Sequence, residues 1–519
     1  MNSTQSSPKP IEKVSSDNVV VGFDLLSNLT YMSVLTIGGL PRDRLLDNTG
    51  KQDLKTSVFF EYIHVLATRV GMEYSAAFRL VAERARATSV KSLLLRFAAA
   101  LGSGESERDF IEQETKLEAQ RYGNQYNRSV ENLRKWTDAY SAILVSVSLI
   151  MVVSLVSTLL GSLDVTFVML MAFVLFFITS IGVFVIYKVS PVEQVTFDSE
   201  DGLPPFRKKS KFLVIALPPV GLILTVLIIP QLSLMTGAAT GFTLIGLSLL
   251  PAGYYAWKDD GSVAKIDQAI PTLLRSVGEI AGSAGVTLTE ALRRIDTKAL
   301  GNLQYYADRL YIRLSASLPT NQCWDRFTAE TGSELVNRST SMLRDGAELG
   351  GRTDRVGEIC SDYALQISEL RELRRLTSAT FSYLSMPMHA TVVFILVFVF
   401  QIVSVFSMKL ADVSSKVKSE ASLSTETVES NINVPSGITL PQGGDMTGGL
   451  DMFATQDIGT LGWIIVFVIV VLTIANALAP KFAAGGSHLM IAFYLSIMCL
   501  ATGGLMFIIP FFTSTLFDI

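Results

Sequence analysis

Residues that could do covalent or metal chemistry are few in this chain of 519 residues, and their spacing is wrong for it. The nearest approach to a phosphate-binding loop is Asn48, Thr49, Gly50, Lys51, Gln52, which lacks both the first glycine and the hydroxyl residue after the lysine. The chain is therefore not expected to hydrolyse nucleotide by itself. Its three histidines are His64, His389 and His488. None belongs to a His-Glu-x-x-His pair: His64 lies in a helical pattern, and the other two lie near the ends of apolar runs, where an interfacial polar ring is expected. Cys323, Cys360 and Cys499 are too far apart for a metal knuckle, and they make no disulfide framework. No nucleophile elbow is present. These absences imply a protein that is not an enzyme and carries no cofactor and no metal.

What remains is cationic and suited to docking. Arg293, Arg294 and Lys298 form one group; Arg344, Arg352 and Arg355 form another, around a glycine-rich run that includes Gly346, Gly350 and Gly351. Exposed charges of this kind set encounter rate and specificity more than affinity. For any one of them a solvated helix face is the competing reading. The net charge of −4 argues against nucleic acid, which would ask for a basic face.

The elements that must hold these groups are helices. Residues 280–295 read as a corner. Gly285 is placed to close one helix in left-handed geometry. Thr287 and Glu290 are spaced as a capping box that opens the next. Arg293 and Arg294 follow directly. Residues 19–140 read as a cytoplasmic helical domain, with amphipathic segments at 23–40, 58–70, 75–87, 89–101 and 106–120, the last continuing toward 140. Residues 257–386 read as a second such domain.

Between and after these domains lie uncharged runs of about 20 residues, long enough to cross a bilayer. Seven are expected: 141–160, 165–187, 212–231, 236–256, 387–408, 461–479 and 488–512. In lipid each must satisfy its own backbone, so each is a helix. Apart from His389 and His488 they contain no Asp, Glu, Lys, Arg or His, which argues against an ion-coupled transport path. The turns at 161–164 and 232–235 lack Lys and Arg, whereas the connector 188–211 carries Lys188, Arg207, Lys208, Lys209 and Lys211. The positive-inside pattern then puts the N-terminus and both polar domains in the cytoplasm and the C-terminus outside. Residues 1–18 are polar and expected to be disordered, with no signal-peptide core, so internal spans should drive insertion. Residues 409–460, rich in Ser, Thr and Gly, are expected to form an external loop, and 461–519 a final pair of spans. The fold class is thus all-α: a polytopic helical membrane protein, multi-pass in the cell membrane.

The two polar domains are related. Phe59, Ile63, Leu66, Val70, Gly71, Phe78 and Val81 align with Leu273, Val277, Ile280, Ala284, Gly285, Leu292 and Ile295 at a constant offset of 214 residues. Farther on, Arg96 and Phe110 align with Arg313 and Phe327 at an offset of 217, as a loop insertion would leave. The pairs Glu114–Thr115 and Glu330–Thr331 are one residue out of register. The second copy is longer, by about one helical hairpin that contains the glycine-rich run. Gly71, Gly285, Thr287, Glu290, Gly350 and Gly351 are expected to set the fold.

Two related helical bundles, each followed by spans, resemble the type II secretion system F domain family of platform proteins. The residues that carry the resemblance are 59–81 with 273–295, 96–110 with 313–327, and Gly346 to Gly351. Two hairpins between the domains, an external loop and a third hairpin look most like the archaeal J-type members, the platforms of the archaellum and of archaeal type IV-like pili. The resemblance implies a platform that docks a cytoplasmic hexameric secretion ATPase and transmits its conformational cycle to filament assembly and, in an archaellum, to rotation. Archaellin or pilin subunits would be outward partners, beside the lipid bilayer and a second copy of the chain as a homodimer. The arginines and Lys298 named above are then the candidate ATPase contacts. An archaeal adhesion pilus or secretion platform is the alternative reading, and a membrane transporter the remote one.

Overall fold

The computed structural model describes residues 18–159, 165–199, 202–429 and 458–516. The expected disorder of 1–18 falls, but for Asn18, outside these residues. So do the turn at 161–164, most of the external loop and the last three residues. Among the described residues the only β features are two isolated bridges, and the rest of the regular structure is helical.

Five short helices open the chain: α1 (Val19–Ile37), α2 (Arg42–Gly50), α3 (Ser57–Thr68), α4 (Tyr74–Arg84) and α5 (Thr88–Ser103). Helix α6 (Glu107–Leu159) runs from the polar block through the first span without a break. Helices α7 (Val165–Val189) and α8 (Pro205–Ile228) follow, and α9 (Leu234–Ala284) returns from the membrane into the polar block. The second copy continues with α10 (Leu288–Arg294), α11 (Gln304–Ser315), α12 (Thr320–Thr331) and α13 (Glu334–Glu348). Helix α14 (Thr353–Glu429) goes back through the membrane, and α15 (Ile458–Ala484) and α16 (Met490–Leu516) complete the chain. Residues 409–429, expected to begin a loop, instead continue α14.

Among the described residues eight helices are long and apolar enough to cross a bilayer, one more than expected. The extra one is α1, and its surroundings explain its composition. A helix apolar on all sides belongs either in lipid or in a protein core. Helix α1 is wrapped by α6, α13 and α14, and its polar residues bond within the protein at several points. Asp24 pairs with Arg338 at 2.8 Å, Ser27 meets the Tyr363 hydroxyl at 2.8 Å, and Asn28 donates to Thr56 at 2.7 Å. It is the core helix of the polar block, which leaves the seven expected runs as spans.

That core is continuous. Buried residues of 19–130 and 266–370 form one cluster, so the two copies pack as one body around α1. The spans form a second cluster from α6, α7, α14, α15 and α16, with α8 at the periphery against α9. Close approach between α9 and α16 depends on small residues. A Cβ on Gly253 would lie 2.6 Å from the Phe493 Cα, closer than packed atoms allow.

A ring of buried arginines fastens the polar block to the spans. The connector after α7 folds back, and the Phe197 N–H donates to the Gly332 carbonyl while the Glu334 N–H donates to Val195. Arg207, fully buried, bonds Asp259 at 2.8 Å and the carbonyls of Phe197 and Gly332. Arg371 grips Glu193 and Asp267, the latter at 2.6 Å, and Arg374 donates to the carbonyls of Pro191 and Ala483 and to the Ser190 hydroxyl. Burial works against the charge on Arg371, but Glu193 and Asp267 outweigh it and hold the guanidinium above its ordinary pKa. Arg207, read from sequence as part of a basic patch, spends its charge inside the protein.

Two outcomes test this architecture. Arg338→Ala, which strands Asp24 and Glu334 in the core, should cost about 3–5 kcal/mol in thermal unfolding of the detergent-solubilised chain. A fragment of residues 257–386 alone should show no cooperative unfolding by calorimetry, because α1 and α6 pack into its core.

Candidate functional site

The three long helices of the polar block begin or end together at its membrane-distal tip. α9 ends at Ala284, α14 begins at Thr353, and α6 begins at Glu107. Gly278 and Gly357 let α9 and α14 touch backbone to backbone, and a Cβ on Gly278 would sit 2.6 Å from the Gly357 Cα. One turn on, Gly282 abuts Asp354. The corner at Gly285 and the glycine-rich turn at Gly350 are therefore neighbours in space, although 65 residues separate them in sequence.

The corner forms as its sequence predicts, with one change. Gly285 has φ +62° and caps α9, and the Val286 N–H bonds Ala281 in the closing turn. The Thr287 hydroxyl accepts from the Glu290 N–H at 3.3 Å. The reciprocal half of the capping box is replaced. The Glu290 carboxylate accepts from Arg293 at 2.5 Å and Arg294 at 3.1 Å instead. The Arg293 hydrogen bond holds that carboxyl below its usual range. In the first copy Gly71 repeats the left-handed turn at φ +73°, but Glu73 stands where Thr287 does and makes no side-chain cap.

The glycine-rich turn joins α13 to α14. Gly350 takes φ +86°, while Gly351 and Gly346 pack where a Cβ would meet the Gly346 carbonyl and Val34 respectively. Around it the cations divide. Arg352 is the most exposed, at 81%, with Asp354 at 2.7 Å; this contact holds the Asp354 carboxyl low. Arg293, Arg294 and Lys298 are also exposed. Arg344 is not: its side chain is 17% exposed, and it bonds Asp345 at 3.0 Å. Arg355 reaches across the bundle to Glu112 of α6 at 3.3 Å and to Glu358 at 2.6 Å. Arg344 and Arg355 thus hold elements together, whereas Arg293, Arg294, Lys298 and Arg352 stay exposed.

Two features were hidden or underrated in the sequence. Arg96 binds Glu114 at 2.6 Å in the first copy, and Arg313 binds Glu330 at 2.6 Å in the second. Spacings of four residues from Phe110 to Glu114 and three from Phe327 to Glu330 both keep the acid on the aromatic's helix face, so the slipped register preserves the same ion pair. The other feature is His389, which is fully buried rather than interfacial. Its ring bonds Thr502 at 2.9 Å and Asn476 at 3.1 Å, and Tyr140 donates to Asn476 at 3.3 Å, tying α6, α14, α15 and α16. Helical spacing alone could not show which way that ring points.

The chain is similar to Flagella accessory protein J. That protein from Methanocaldococcus jannaschii is 24% identical over 323 residues, 60% of this chain and 57% of the relative. Its counterpart from Methanococcus voltae is 25% identical over 359 residues, 66% of this chain and 63% of the relative. The matched region spans less than two thirds of the length of these relatives. No family model and no solved structure matches. The likeness to archaeal J-type proteins inferred from the repeat and the span order is borne out by these relatives, and the chain is a multi-pass membrane protein. The wider link to the type II secretion F domain rests on the sequence pattern.

The glycines give a clean test of the tip. Nothing lies within 4 Å of a Cβ built on Gly285 or Gly350, so alanine there meets only backbone strain. Gly285→Ala and Gly350→Ala should each cost about 1–2 kcal/mol in thermal unfolding. Gly278→Ala, which collides with Gly357, should lower the midpoint further.

Proposed function

We propose that this chain is the membrane platform of an archaellum-type machine. The polar block faces the cytoplasm and docks a hexameric secretion ATPase on the tip formed by the 285 corner and the 350 turn. The spans meet archaellin subunits. In this reading the chain does no chemistry of its own, and the energy comes from the ATPase.

The observation that carries the reading is the continuity of α6, α9 and α14 from tip to membrane. Helix α9 has 51 residues, about 77 Å at 1.5 Å per residue. A bilayer core takes about 30 Å of it, leaving a rigid arm of roughly 45 Å. A displacement imposed at Gly285 or Thr353 reaches the spans along continuous helix, which loses hydrogen bonds at Pro251, Pro271 and Pro387 but has no loop to absorb the motion. The likeness to two flagella accessory proteins favours motility over adhesion. The absence of Asp, Glu, Lys and Arg from the expected spans argues against a transporter.

The test uses the full chain in nanodiscs with the secretion ATPase, since the two copies share a core. ATP hydrolysis should be stimulated, and binding should weaken as salt rises, because exposed charges are screened. Arg293→Glu, Arg294→Glu and Arg352→Glu together should reduce affinity at least about tenfold, or 1.4 kcal/mol, and leave membrane insertion unchanged. Arg344→Ala should lower the thermal midpoint more than it lowers ATPase affinity. If the wild-type chain neither binds nor stimulates the ATPase, the platform reading is wrong.

A further inference from the structure

A cavity of about 650 Å³ opens between α9, α14 and α16, apart from the tip. Its depth in the membrane follows from three independent span ends. Trp257 comes just after the span of α9, Tyr383 just before that of α14, and Phe493 at the start of that of α16. Trp257 stacks on Phe493 with centroids 6.1 Å apart, and Tyr383 and Trp257 remain 76% and 51% exposed. Such amphipathic rings mark the headgroup level of a bilayer.

The cavity is also charged. Lys258 and Lys265 lie seven residues apart on one face of α9, and Arg375 faces them from α14. Asp260 lines the same space, so three cations stand against one carboxylate there. Lys258 lies 4.5 Å from the Phe206 ring, and Arg375 lies 3.8 Å from Glu372 outside the cavity. Small residues on α14 (Ser378, Ala379 and Ser382) leave the volume unfilled between the cations and the rings. Basic pockets between membrane helices at this depth recognise anionic headgroups, whose phosphate takes the cations while the glycerol and upper acyl carbons meet the aromatics.

We infer that this cavity binds the phosphate headgroup of an anionic membrane phospholipid, wedged between α9 and α14 where the polar block joins the spans. The inference requires only that the chain is embedded in a bilayer, and it stands or falls separately from ATPase docking. The full chain, stripped of lipid in detergent, is titrated with phosphatidylglycerol, phosphatidylcholine or inorganic phosphate. The readouts are native mass spectrometry and thermal midpoint.

Phosphatidylglycerol should be retained and should raise the midpoint, with phosphatidylcholine and free phosphate at least tenfold weaker. Lys258→Gln with Arg375→Gln should weaken phosphatidylglycerol binding at least tenfold. Lys188→Gln with Lys208→Gln removes the same charge from exposed positions on the same side of the membrane and should change it less than twofold. Equal binding of both lipids, equal binding of phosphate alone, or equal loss in both double variants would each overturn the site. If the first double variant unfolds without lipid, Lys265→Gln alone is compared with Lys188→Gln under the same criterion.

Discussion

The structure depends on charge buried where the polar block meets the membrane. Arg207, Arg371 and Arg374 each bind carbonyls or carboxylates from segments distant in sequence, and between them they hold the connector after α7, the start of α8, and helices α9, α14 and α15. An unpaired guanidinium at such a site would be strongly unfavourable, so the segments must arrive together or not at all. Apolar packing alone could let α9 slide along α14. A guanidinium with several fixed acceptors fixes the register, because its donors have a set geometry. The connector is therefore a structural strap, and its basic composition serves two roles: Arg207 is internal, while Lys188, Lys208 and Lys209 stay exposed at the membrane side.

This fixed junction gives the long helices mechanical meaning. If the polar block could pivot on its spans, force at the tip would be lost as a hinge motion. Instead Arg371 and Arg374 lock α14 to the connector and to the end of α15, Gly278 and Gly357 lock α14 to α9 near the tip, and the His389 network ties α14 to α6, α15 and α16 within the bilayer. Three sets of contacts at three heights make α6, α9 and α14 one lever. The proposed platform role needs such a lever more than it needs any single docking residue.

The sequence revealed the helical class, the seven expected spans, the repeat and the Gly285 corner, because each leaves a local mark: a period, an uncharged run, a fixed offset or a capping pair. It was silent where burial comes from tertiary contact. Helix α1 is apolar all round, and only its neighbours distinguish a core helix from a span. Arg207 and Arg344 carry the same letter as exposed arginines, yet both are committed inside the fold. Glu290 has the spacing of a capping residue but gives its carboxylate to Arg293 and Arg294, since two cations on its own helix face compete with one N–H. The slipped Glu114 and Glu330 make the opposite case: an alignment penalises a one-residue shift that a helix face tolerates.

The unequal copies also explain why the body is single. In the first copy the helix after α5 runs straight into the membrane as α6. In the second, α12 ends at Gly332, whose φ of +63° and contact with Arg207 stop the helix at the strap. The chain must then go down through α13 and come back up as α14. That added hairpin builds the groove that α1 fills: Arg338 of α13 takes Asp24, and Tyr363 of α14 takes Ser27. An N-terminal helix apolar enough for a membrane is thus held in the polar block by partners that the longer copy adds to those of α6 and Thr56. The insertion that breaks the symmetry of the repeat is what joins its two halves, and its turn, at Gly350 and Arg352, is half of the tip where docking is proposed.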